Sequence, residues 1–191
     1  MSDIEHPHRS LNAYLFAPLG AFSGALYGLV QFTLAPPDSG KIGQILVYIG
    51  AGLFYGVIVG WILRRELDWH PWKWPAFVVA AAASYCVAVL ISINLGGAAE
   101  TALAKAGIGA LSGAVGALLL DLATAALSRR GRHLKFLIPT ALIGAVLGAP
   151  VFQVADADQI VVWMAFFAVW QGAYAGWSAM TLSRRVFDTT E

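Results

Sequence analysis

Apolar residues along this chain fall in long unbroken runs, separated by short polar and charged breaks, rather than in the two- or four-residue periods of a surface strand or helix. Six such runs stand at about 11–34, 43–63, 76–95, 103–127, 136–153 and 160–183. Crossing about 30 Å of hydrocarbon takes roughly 20 helical residues, and each run is close to that length or beyond it. In hydrocarbon every backbone N–H and C=O must be satisfied within its own helix or around a closed barrel, and runs without strand alternation favour helices. The pattern predicts an all-α integral membrane fold with a polar segment over 1–10, a six-helix transmembrane domain over 11–183 and a tail over 184–191. The first run is longer than a signal-peptide core and has no clear cleavage site, so it reads as a retained helix.

Composition changes this picture little: 59% hydrophobic and 12% charged residues, with a mean hydropathy of +0.70, make lipid the predicted solvent. Charge adds an orientation. Arg9, then Arg64, Arg65 and Lys73, then Arg129, Arg130, Arg132 and Lys135, then Arg184 and Arg185 all fall on one side of a six-span arrangement. The other side keeps Lys41 and Lys105 against Asp38, Glu100, Asp156 and Asp158. By the positive-inside rule the first side, with both termini, is cytoplasmic, and the compact loops point to a bacterial inner membrane. A basic face that follows from topology gives no reason to invoke nucleic acid.

Arginine pairs close the second, fourth and sixth runs, which predicts three serial hairpins. A gapless shift of 120 residues supports part of this. It places Ala21, Gly24, Ala25, Gly28, Phe32, Ala35, Asp38, Gly52, Gly56, Arg64 and Arg65 on identical residues from Ala141 to Arg185, 11 identities in 45 positions. Chance in so biased a composition gives about four. Two copies offset by four spans share one orientation in the membrane.

Glycines recur at four-residue spacing: Gly20, Gly24, Gly28; Gly52, Gly56, Gly60; Gly109, Gly113; Gly144, Gly148; and Gly172, Gly176. Small residues on one helix face let backbones approach closely, and these faces predict tight helix packing and an oligomer or membrane-protein partners. In the sixth run Trp163, Phe167, Trp170, Tyr174 and Trp177 share a face that is expected to meet lipid or a neighbouring subunit, with a stacked pigment or quinone as the alternative. Trp61, Trp69, Trp72 and Trp74 around the second loop are expected at the headgroup level. Asp121 is the one acid well inside a run. An ionisable group there is costly unless it faces a cavity or a partner, so it stands as a proton-coupling candidate beside the alternative of an interfacial carboxylate paired with arginine.

Enzymatic chemistry finds no footing: there is no nucleophile elbow, HExxH, phosphate-cradling loop or paired intramembrane carboxylate. No metal site is expected from His6, His8, His70 and His133, which lack helical i, i+4 spacing, and no cofactor is expected. Cys86 is alone, so it forms no intramolecular disulfide, and it is expected to be buried.

Four stretches resemble the acetate uptake transporter family, small six-span carriers for acetate and succinate. They are Ala17 Pro18 Leu19 Gly20; Gly52 Leu53 Phe54 Tyr55 Gly56; Ser84 Tyr85; and Gly172 Ala173 to Ala179 Met180. Leu15 Phe16 stand where the family signature opens with Asn-Pro. The resemblance implies monocarboxylate transport with Tyr85 at a constriction. Taken together, the residues point to a small-solute transporter or channel with Tyr55, Tyr85 and Asp121 along its path. Two readings stay open beside it: a non-catalytic subunit scaffolding a larger membrane complex, and a pigment- or lipid-binding protein.

Overall fold

The structure, a computed structural model, describes residues 13–34, 40–67, 69–128 and 136–187. The segment 1–10, Asp38, the basic stretch 129–135, residues 188–191 and the side chains of Arg184 and Arg185 lie outside what it describes. Among the described residues seven helices follow in order: α1 (Ala13–Leu34), α2 (Gly40–Glu66), α3 (Lys73–Gly96), α4 (Ala102–Leu127), α5 (Leu137–Gly148), α6 (Val151–Ala155) and α7 (Ile160–Phe187). There is no strand among the described residues. Among the described residues six crossings are long and apolar enough to span a membrane, the fifth being made of α5 and α6 together over Leu137–Ala155.

Local chemistry explains several boundaries. Gly40 enters α2 at φ +67°, a left-handed backbone that a side chain would strain. Pro75 and Pro139 stand in the first turns of α3 and α5, where a helix has no use for the missing N–H. Thr101 caps α4, its Oγ1 accepting from the Ala104 N–H at 3.1 Å. The fifth run was expected to be continuous over 136–153, but it breaks after Gly148, because Pro150 supplies no N–H to carry the ladder onward.

The crossings form a closed ring in the order α1, α2, α3, α4, α5, α7 and back to α1. The most extensive contacts join α1 to α7, α2 to α3 and α4 to α5, so they lie between the hairpins expected from sequence rather than inside them. Glycine decides this. A Cβ on Gly24 would fall on the Phe167 backbone carbonyl, one on Gly52 on the Ala81 carbonyl, and those on Gly113 and Gly144 on each other's carbonyls. Gly20 and Gly28 continue the α1 face onto Gln171 and Met164, Gly56 and Gly60 the α2 face onto Val78 and Phe77, and Gly109 meets Gly148 across α4 and α5. Gly172 and Gly176 return the contact from α7 to Ala17 and Ala21.

Positions equated by the 120-residue shift act alike in this ring. Gly24 and Gly144 each face the crossing before their own, and Gly52 and Gly172 each face the one after. The expected use of these faces for an oligomer is therefore corrected: they are occupied within the chain, and a partner has to use another surface.

The ring is apolar outside and mixed within. Phe22, Val79, Ile138, Val146 and Val161 stand exposed on its outer surface, whereas Ser23, Gln31, Ser84, Ser112, Asp121, Thr140, Gln171 and Ser178 are buried. A water-soluble protein shows the reverse, so this distribution marks an integral membrane protein. At the Arg64 end, Arg64 lies over the Trp61 ring at 5.3 Å, Trp61 packs edge-on to Trp74, and Lys73 Nζ donates to the Leu127 carbonyl at 2.7 Å. Trp69, expected at the headgroup level, is buried against Phe77 in the connection between α2 and α3. Cys86, expected to be buried, is partly exposed.

Candidate functional site

Two cavities lie inside the ring. The inner one, about 60 Å³, is walled by α2, α3, α4 and α7, with Tyr55, Ser84, Tyr85, Leu120, Gln171 and Tyr174 among its residues. The outer one, about 190 Å³, lies toward the end opposite Arg64, among Gln31, Ser92, Ser112, Phe152, Trp163 and Phe167. Tyr85, Ala88 and Trp170 belong to both walls, so the two spaces meet at the Tyr85–Trp170 pair, whose rings are 6.3 Å apart.

Around this junction the polar groups are tied to one another. Tyr27, fully buried on α1, hydrogen-bonds to Gln31 one turn on, reaches the Leu46 carbonyl at 3.4 Å and meets the Tyr85 hydroxyl at 3.3 Å. Phe167 packs edge-on to the Tyr27 ring at 4.6 Å. Gly50 leaves the space this ring fills, since a Cβ there would meet it. Between α3 and α4, Ser92 Oγ donates to Ser112 Oγ at 2.9 Å.

At the inner end, the Tyr55 and Tyr174 rings meet edge-on at 5.8 Å. Tyr174 donates to the Ala117 carbonyl at 3.2 Å, and the Tyr55 hydroxyl pairs with Ser178. Asp121, one turn beyond Ala117, is buried and near enough for its charge to act on Tyr55. It is not part of either cavity wall. Past this floor, Phe16, Val59, Leu63, Trp69 and Leu182 fill the ring with apolar side chains toward the Arg64 end.

The structure thus gathers Tyr55 and Tyr85 at one cavity and sets Asp121 beneath it. The aromatic face of the sixth run turns inward instead of toward lipid. Phe167 and Tyr174 are buried, Trp163 and Trp170 line the outer cavity, and Val161, Ala165, Val169 and Ala173 take the exposed side. Indole N–H groups explain the direction, because lipid offers them no acceptor. Trp163 Nε1 donates to the Ala157 carbonyl at 3.0 Å and Trp177 Nε1 to Thr140 Oγ1 at 2.9 Å.

Tyr27, Gln31 and Gln171 were missed by sequence reasoning. Their signal was present: a glutamine inside an apolar run needs a partner, and Tyr27 stands one helical turn before Gln31. No cluster of histidine, cysteine or acidic residues able to hold a metal occurs among the described residues. Compared with known proteins, the chain matches no family model, no curated protein and no solved structure.

Proposed function

We propose that the protein is a small-solute membrane transporter or channel whose path follows the interior of the helix ring past Tyr85 and Tyr55, with Asp121 as a proton-sensitive group below its inner end. The observation that carries the reading is the pair of cavities meeting at Tyr85. Scaffolding alone calls for no such space, and a close-packed bundle would have filled it. The apolar plug of Phe16, Val59, Leu63 and Leu182 supports a path closed on its inner side in this conformation. The charge asymmetry of the loops supports placing that side in the cytoplasm, with both termini, and the membrane as a bacterial inner one.

The test is solute flux into liposomes holding the purified full-length chain. Flux above that of empty liposomes is expected, reduced about tenfold by Tyr85→Trp, which narrows the junction. Asp121→Asn is expected to flatten the dependence of flux on pH while leaving the path open. Absence of any flux, with fixed partners co-purifying, would instead support the scaffold reading. The outer cavity also favours a second reading, because Trp163, Phe166, Phe167 and Trp170 offer stacking surfaces to a flat apolar ligand. Absorbance outside the protein band after mild detergent extraction would favour it.

A further inference from the structure

Four buried side-chain polar atoms lack a hydrogen-bond partner among the described residues: Ser23 Oγ, Trp69 Nε1, Ser128 Oγ and Gln171 Oε1. Of these four residues, only Gln171 stands in the wall of either cavity. Its amide is held in place, because Nε2 donates to the Ala51 carbonyl at 3.1 Å and the residue is only 6% exposed. That bond also settles the orientation, since a carbonyl accepts only from the nitrogen end. What remains is a fixed acceptor, and leaving one unmet in an apolar interior is destabilising.

The rest of the inner wall is uncharged. Ala51, Gly52, Ala81, Ala88 and Leu120 are apolar, and Tyr55, Ser84 and Tyr85 contribute hydroxyls. Ser84 already donates to the Ala80 carbonyl at 2.8 Å. Among the described residues no lysine, arginine or histidine lines the space, and the acid buried beneath it, Asp121, offers no positive charge. An anion brought here would lose its hydration without gaining a counter-ion.

From this geometry we infer that the inner cavity takes a small uncharged solute that donates an O–H or N–H, with Gln171 as the residue that selects it. The inference rests on the transport reading and narrows its substrate class. A carboxylic acid fits the site in its protonated form, as a donor, and its carboxylate does not.

Liposomes holding the full chain can be challenged with formamide and urea, followed by light scattering as they swell, and separately with chloride and acetate ions under an imposed membrane potential. Swelling faster than in empty liposomes, no ion current, and about a tenfold loss of formamide flux in Gln171→Met are expected. Wild-type selectivity decides the matter even where the variant fails to insert. Ion flux equal to that of formamide would overturn the uncharged-donor assignment and leave the path standing. Formamide flux unchanged in a folded Gln171→Met protein would overturn the role of Gln171. No flux of any solute would overturn both the path and the assignment.

Discussion

Where α1 meets α7, the backbones come so close that Gly24 lies on the Phe167 carbonyl. One face further round, the same α7 lines the inner cavity with Trp170, Gln171 and Tyr174. The first surface is small, smooth and dry, and the second is bulky, partly polar and incompletely filled. The same division holds across the ring, where Gly113 against Gly144 backs onto the interior that Ser112 and Gly116 help to line. Lipid gives helices little reason to associate, so contact has to come from close fit, and glycine supplies that at the seams. Bulky aromatics then hold the interior apart. A cavity between such helices is a consequence of where the small and large residues stand on each one.

The strongest challenge to this contrast is to put bulk into a seam. Gly24→Leu is expected to cost about 3 kcal/mol or more, because what stands opposite is backbone and cannot swing aside. Thermal unfolding in detergent, with the yield of monodisperse protein, would show it. A smaller loss is expected on the cavity side. Tyr27→Phe keeps the ring but removes the hydroxyl that Gln31, Leu46 and Tyr85 share, a cost of about 1–2 kcal/mol in the same assay. The smallest effect has the opposite sign. Gly107, exposed on α4, has nothing within 4 Å of a built Cβ, so Gly107→Ala is expected to stabilise by about 0.5–1 kcal/mol. If Gly24→Leu and Gly107→Ala behaved alike, glycine would not be what defines the seams.

The six crossings were legible because run length and charge are local properties, and the expected limits came within a few residues of the observed ones. Glycine spacing likewise revealed which faces were small. Which helix each face would meet was not readable, because Gly24 carries no mark of Phe167, and the pairing of first crossing with last depends on the ring as a whole. Periodicity also showed that Trp163, Phe167, Trp170 and Tyr174 share a face without showing its direction. The indole N–H groups held that information, through the partners they need. Tyr55 and Tyr85 were picked out, whereas Gln171 was passed over although an amide is the costlier group to place in a membrane.

Closure of the ring by α1 and α7 has a consequence for biosynthesis. The Gly20, Gly24 and Gly28 face reaches the bilayer with the first crossing, yet its partner is the last part of the domain to be made. Until then that groove is open to lipid, to insertion machinery or to another nascent chain. Closure of the ring thus waits for α7, and a chain interrupted before α7 would be left with a seam it cannot close.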